Sequence, residues 1–220
     1  MLRALLFDFD GLILDTETPE VEGWTEVFAS YGTTFPMDYW ANALGRGADQ
    51  LYETPMAVLE RLSGQTLDHD VVKVEYDAIR MAKILERAPL PGVVALLEAA
   101  MAEQLPCAVV SSSKHPWVDG HLSRLGLAHY FRMTVCAGDA PRAKPYPDLY
   151  EEALRQFGIG PKEAIAFEDS PNGSRAAVDA GLFTLAVPNA VSKTLDLSHA
   201  SLQADSLEGF TLNDLRALVS

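Results

Sequence analysis

The feature that most constrains this chain is a set of short apolar runs, each separated from the next by a stretch of helical period. The runs are Leu2–Phe9 (broken only by Arg3 and Asp8), Cys107–Val110, Met133–Cys136, Ala164–Phe167 and Phe183–Val187. Runs this short, without polar alternation, read as strands covered on both faces, the condition of a parallel sheet. Between them Val93, Leu96, Leu97, Ala100 and Met101 recur at spacings of three and four, as do Leu149, Ala153 and Phe157, the stripe of an amphipathic helix. After Phe167, Ser170-Pro171 is a helix opening and Gly181 a helix stop. Strands alternating with helices predict βαβ units with right-handed crossovers.

One stretch breaks the alternation. From Thr16 to Ala88 no run reads as a strand. Val71, Val74, Ala78, Met81 and Leu85 form one helical stripe, and Trp24, Val27 and Phe28 mark another helix ending near Gly32. Pro89-Leu90-Pro91-Gly92 punctuates the return to alternation. The expected architecture is therefore a doubly wound, parallel-sheet (Rossmann-like) α/β core from residues 1–15 and 89–220, with a small all-helical domain at 16–88. That insertion follows the first strand on two short connections, which lets it swing over the strand's end, where open α/β sheets bind ligands.

Composition excludes several classes. Seventeen basic against thirty-one acidic residues give a net charge of −14, a surface that repels phosphate backbones and anionic lipids, so neither nucleic acid nor membrane is an expected partner. A small anionic substrate stays possible wherever a local cation neutralises it. Cys107 and Cys136 lie in apolar runs and read as reduced core residues of an intracellular protein. The apolar start of the chain stops at Asp8, too short for a signal peptide or a span, so the expected location is the cytoplasm. No long apolar stripe is left over, so a monomer is expected.

Four of the expected strands end in groups with chemistry. Asp8-Phe9-Asp10-Gly11 closes the first, and residues two apart in a strand share a face. Two such carboxylates need a cation between them or a proton on one; the alternative is an Asp-Gly turn with Asp8 capping a neighbouring helix. An unpartnered acid inside an apolar strand is expensive, which favours the first reading. Ser111-Ser112-Ser113-Lys114 closes the second, where hydroxyls and helix-start N–H groups suit an anion, although serine is also an ordinary N-cap. Lys144, between Ala143 and Pro145, follows the third and by itself is a loop lysine. Glu168-Asp169 closes the fourth, either favouring the next helix dipole or holding a divalent metal. Together, carboxylates with a metal, a hydroxyl and a lysine around one pocket are the parts of a phosphoryl-transfer site.

In this combination the chain resembles the haloacid dehalogenase-like superfamily of aspartate-based phosphatases. Asp8-Phe9-Asp10-Gly11 with Leu14-Asp15-Thr16 matches its first motif, Ser111 its second, Lys144 its third and Glu168-Asp169 its fourth, and the helical insertion looks like its cap. The resemblance covers nearly the whole chain and is nearest to the subgroup that contains β-phosphoglucomutase and many small-molecule phosphatases. It implies a Mg²⁺-dependent phosphatase of a small phosphorylated metabolite. Asp8 is then the nucleophile, Asp10 the acid and base, and Ser111 and Lys144 bind the phosphoryl group. Mg²⁺ sits on Asp8, the Asp10 carbonyl, Glu168 and Asp169. The resemblance assigns substrate choice to the cap, and Arg46, Glu20, Ser112 and Lys114 are candidate substrate contacts. The alternative is a sugar phosphomutase. β-Phosphoglucomutase has a histidine where this chain has Glu20, and a cap-loop arginine where it has Ala48, with Arg46 two residues earlier; both departures speak against it. A dehalogenase needs neither Asp10 nor the acidic pair. A phospho-aspartate signalling module carries its acceptor after a later strand and has no cap.

Overall fold

Buried on both faces, the first apolar run becomes the centre of a sheet. The computed structural model describes residues 1–39 and 53–219. Its strands are β1 (Ala4–Phe7), β2 (Cys107–Val110), β3 (Phe131–Val135), β4 (Ala164–Glu168), β5 (Phe183–Ala186) and β6 (Leu202–Gln203). They form one six-stranded sheet in the order β3-β2-β1-β4-β5-β6, with every pairing parallel. This is the expected Rossmann-like α/β fold. The described helices are α1 (Glu17–Ser30), α2 (Pro55–Ser63), α3 (His69–Glu86), α4 (Val93–Ala102), α5 (His115–Arg124), α6 (Asp148–Phe157), α7 (Pro171–Asp179) and α8 (Leu212–Leu218). None is long and apolar enough to cross a membrane.

The chain divides into two compact units, Met1–Leu14 with Ala88–Ser220, and Asp15–Arg87. In the first, alternate residues of β1 serve opposite faces. Ala4 and Leu6 pack with Ala108, Val110, Leu149, Tyr150 and Ala153 in one fully buried cluster. On the other face Phe7 stacks on Phe167 at a centroid distance of 4.7 Å and meets Phe131 edge-on at 6.0 Å, favoured arrangements for aromatic pairs. The chain winds outward from β1 through β2 and β3, then returns to β4 on the other side of β1. That reversal opens a crevice at the carboxyl ends of the central strands.

Two details differ from the sequence reading. β6 was not expected: it is two exposed residues at the sheet edge, too short and too polar to carry a periodic signal. The first strand ends at Phe7, because residues 9–14 fold back on themselves. Ile13 and Leu14 both donate their N–H to the Phe9 carbonyl, and Gly11 N–H donates to the Leu14 carbonyl. Gly11 takes φ +77° in that loop, and a Cβ there would run into the Asp169 carboxylate, so only glycine fits.

Among the described residues of the second unit, every regular element is a helix. Trp24, Val27, Phe28, Phe35, Val58, Leu59 and Val72 make its core, with Trp24 stacked on Tyr76 at 4.2 Å. Helix α3 forms where the Val71, Val74, Ala78, Met81 and Leu85 stripe placed it, but this stripe is not the buried face. Val71 is 58% and Val74 70% exposed, while Val72 is fully buried. The helix instead packs through Val72, Tyr76 and Ile79, a second stripe in which an aromatic does the work of an aliphatic. An apolar stripe is therefore left on the surface, contrary to the expectation that none would be. Val72→Asp should cost about 3 kcal/mol or more of stability by burying a charge. Val71→Asp should stay within about 0.5 kcal/mol. Urea unfolding followed by helical circular dichroism distinguishes the two faces.

Candidate active site

Parallel pairing brings the ends of β2, β1 and β4 side by side. Phe7 pairs with Val109 on one side and Phe167 on the other, and Asp8 N–H still donates to the Phe167 carbonyl at 3.0 Å. Asp8 therefore sits one step beyond, level with the ends of both neighbours. Ser111 follows β2 and donates its N–H to the Val135 carbonyl of β3 at 2.9 Å. Glu168 is the last residue of β4, and Asp169 follows it.

Lys144 reaches in from the loop after β3 and ties three strand ends together. Its Nζ lies 2.7 Å from Asp8 Oδ1 and 2.6 Å from Glu168 Oε1, and donates to the Val110 carbonyl at 2.8 Å. All three ammonium hydrogens thus have an acceptor. Tyr150, wholly buried on α6, donates its hydroxyl to Glu168 Oε1 at 2.6 Å, and its ring lies 5.2 Å from the ammonium. Asp8 Oδ1 also accepts the Phe9 N–H at 2.7 Å.

Electrostatics in this pocket are unbalanced. Burial, then the charge of Glu168, pushes the Asp8 carboxyl well above the usual carboxylate range, and Lys144 only partly offsets them. For Lys144, burial acts downward, but the carboxylates of Asp8 and Glu168 outweigh it and hold the ammonium charged with its pKa raised. Burial, with Glu168 next, raises the Tyr150 phenol well above its ordinary value, so it is a hydrogen-bond donor here.

A divalent metal fits this donor set. Asp8, Glu168 and Asp169, all buried, each offer an oxygen within 4.8 Å of the others. Three carboxylates face one ammonium, leaving two negative charges for a cation such as Mg²⁺ to balance. Glu168 Oε2 is buried without a hydrogen-bond partner, a costly state for a carboxylate oxygen that a nearby cation relieves. Glu168 also lies against Gly173 so closely that a Cβ there would collide with its carboxylate.

Asp10 departs from the metal set as far as its side chain is concerned. Its carboxylate turns toward the residues after β2, where Ser113 Oγ donates to Oδ2 at 2.6 Å and the Trp117 indole Nε1 donates to Oδ1 at 2.8 Å. Ser111 Oγ, 3.5 Å from Oδ2, accepts the Ser113 N–H at 3.0 Å. The structure thus gathers Asp8, Asp10, Ser111, Lys144, Glu168 and Asp169 at one edge of the sheet. Ser112 and Lys114 are exposed. Glu20 belongs to the helical unit, with Arg80 Nη1 at 3.7 Å, and Arg46 lies outside the described residues. Burial raises the thiols of Cys107 and Cys136 to about 12, so neither is a thiolate near neutral pH.

The sequence reading missed four members. Tyr150 lies next to the Leu149, Ala153 and Phe157 stripe and nothing in the sequence singles it out. Ser113 is an ordinary N-cap candidate by sequence, and nothing local separates Trp117 from a packing residue. Asn189 follows the end of β5, and the strand-end rule that found the others would have found it. Its Oδ1 accepts N–H groups of Val191 and Ser192 at 2.9 and 3.0 Å, which fixes the amide so that Nδ2 donates to Asp169 Oδ2 at 2.7 Å and to the Gly11 carbonyl at 3.2 Å.

A buried acid, a lysine, a serine and an acidic pair at the switch point of a parallel sheet define a hydrolase class, and comparison with known proteins agrees. The family model described as haloacid dehalogenase-like hydrolase matches residues 5–187. YhcW of Bacillus subtilis is 42% identical over 196 residues, covering 89% of this chain and 87% of that protein. The fructose-1-phosphate phosphatase YqaB of Escherichia coli is 29% identical over 179 residues, 81% of this chain and 93% of that one. Among solved structures, CbbY from Rhodobacter sphaeroides in complex with phosphate superposes with a TM-score of 0.74 at 26% identity, over 98% of this chain and 100% of that one. The chain belongs to the haloacid dehalogenase-like hydrolase family.

The raised Asp8 carboxyl has a consequence for stability. A group whose pKa rises on folding contributes stability below its unfolded pKa and loses it as pH climbs through the folded value. Without metal, Asp8→Asn should therefore unfold at a higher temperature than the parent near neutral pH. The difference should close as pH falls toward the ordinary carboxylate range. Saturating Mg²⁺ should reverse the order by stabilising the parent selectively. Melting curves with chelator and with Mg²⁺ across pH check the sign.

Proposed function

We propose that this chain is a Mg²⁺-dependent phosphatase of a small phosphorylated metabolite, a sugar phosphate foremost, that works through an aspartyl-phosphate on Asp8. The observation that carries the reading is the Lys144 ammonium 2.7 Å from Asp8 Oδ1, beside Ser111 and a buried acidic group suited to a divalent cation. YqaB, whose name gives fructose 1-phosphate as its substrate, supports the substrate class. The acidic surface agrees with a small ligand rather than a polyanion.

Asp8, Glu168 and Asp169, with the Asp10 carbonyl, would hold the ion. When bound it supplies the positive charge that lets a carboxylate approach an anionic phosphate. The Asp8 carboxylate attacks phosphorus, the bond to the leaving oxygen breaks, and an aspartyl-phosphate forms. Lys144 stabilises charge on the transferring oxygens, and the Ser111 hydroxyl donates to one of them. Asp10 protonates the leaving oxygen, then takes a proton from the water that attacks the phosphoenzyme, releasing phosphate and restoring Asp8. The helical residues 16–88 are read as the cap that selects the substrate, with Glu20 and Arg46 as its candidate contacts and Ser112 and Lys114 as those of the core.

A panel of sugar phosphates and other phosphorylated metabolites, assayed for phosphate release with Mg²⁺ and with chelator, tests the reading. Release should need the metal, and Asp8→Asn should lower turnover by about a thousandfold or more while retaining a cooperative melt. Normal turnover by that variant removes Asp8 as nucleophile. Conversion of β-glucose 1-phosphate to glucose 6-phosphate with a bisphosphate primer, without free phosphate, replaces the phosphatase by a mutase.

A further inference from the structure

We infer that Trp117 and Ser113 are positioning residues for Asp10: they hold its carboxylate in one orientation and set Oδ2 as the oxygen that exchanges protons with the substrate. The inference rests on the assignment of Asp10 as acid and base made above.

The two oxygens of Asp10 meet different chemistry. Oδ1 receives the indole Nε1–H of Trp117 at 2.8 Å, and an indole nitrogen donates but never accepts. A donor already on Oδ1 makes this oxygen the poorer site for the proton and favours it as the acceptor. Oδ2 receives the Ser113 hydroxyl at 2.6 Å, with Ser111 Oγ at 3.5 Å. A hydroxyl rotates and either donates or accepts, so this side tolerates both the carboxylate and the acid. The Trp117 N–H and the rotatable Ser113 hydroxyl together suit a carboxyl group that stays in place while its proton is transferred.

The chain supports this arrangement from its own fold. Trp117 stands in the first turn of α5, and its ring packs edge-on against His121 one turn later, at a centroid distance of 4.4 Å. His121 in turn lies 6.2 Å from Phe9, the residue between the two aspartates. Ser113 N–H donates to Ser111 Oγ, so the strand-end serine braces the loop that carries the second donor. Both donors come from the segment after β2, whereas Asp10 comes from the loop after β1, and only strand pairing puts them together.

In the forward step Oδ2–H gives its proton to the leaving oxygen as the P–O bond breaks and Asp8 takes the phosphoryl group. In the second step Oδ2 takes a proton from water as the water oxygen bonds to phosphorus and the bond to Asp8 breaks. An alkoxide leaving group needs that first proton, whereas p-nitrophenolate leaves without it. Misplacing Asp10 therefore penalises one substrate class selectively, which mere loss of folded protein does not.

The experiment compares kcat/KM for the best sugar phosphate of the panel with kcat/KM for p-nitrophenyl phosphate, in parent, Trp117→Phe, Ser113→Ala and Asp10→Asn, all with Mg²⁺. Trp117→Phe keeps the ring and loses the donor. It should lose about tenfold or more on the sugar phosphate and no more than about threefold on the aryl ester, and Asp10→Asn should show the same pattern more strongly. If Trp117→Phe melts out, Ser113→Ala carries the comparison through the other oxygen. Equal losses on both substrates, or none, in the donor variants while Asp10→Asn is selective overturn the positioning role. An Asp10→Asn variant without selectivity overturns instead the acid assignment on which it rests.

Discussion

The site depends on one buried ammonium group. Lys144 touches Asp8, Glu168 and a β2 carbonyl at once, and without it two carboxylates would face each other in a pocket with little water. Removing one partner of such a cluster leaves an uncompensated buried charge, at a cost of about 3–5 kcal/mol. Even with Lys144 present the balance stays negative, and the Asp8 carboxyl answers by rising above its ordinary range. The same imbalance that makes the pocket costly suits it to the divalent cation proposed above. Fold stability and chemistry are in tension here, as expected where a site is organised for charge that arrives with its ligands.

That tension is confined by the sheet. Asp8 and Asp169 sit just past their strands, Glu168 is the last residue of β4, and Lys144 reaches in from the loop after β3, so the charges gather where the apolar core stops. Phe7, Val110 and Phe167 are fully buried, so the strand ends are rigid to within the packing of the core. Gly11 and Gly173 then let a loop and the first turn of α7 approach more closely than any side chain would allow. Asn189 holds Asp169 from the far side, and Tyr150 holds Glu168 from below the sheet edge. The acids are placed by neighbours that take no part in the chemistry, the usual arrangement around metal ligands.

Much of this was legible in one dimension. The apolar runs located five of the six strands: β1, β2 and β4 are buried along their whole length and leave no polar residue to obscure them, whereas half-buried β3, with Arg132 and Thr134, was marked only from Met133. The same runs pointed at Asp8, Ser111 and Glu168, since a polar residue that ends an apolar run sits at the sheet edge. Lys144 was harder, nine residues beyond Val135, and needed the motif resemblance. The α3 stripe failed for a physical reason: Tyr76 is amphipathic and packs on Trp24, so the real inner face scored as polar while the outer one scored as apolar. Partners such as Trp117 and Tyr150 carry no signal in the sequence, because a single polar atom on a large apolar side chain leaves periodicity unchanged.

The sequence alone determined the kind of fold, the position of the helical insertion in the chain and the residue types that end each strand, because burial leaves a local periodic trace. Tertiary structure decided who faces whom. Asp10 and Trp117 are over a hundred residues apart, and nothing local says that the carboxylate turns away from the acidic group to meet an indole. That choice depends on β1 pairing with β2 at one register, and strand register is a property of the folded sheet.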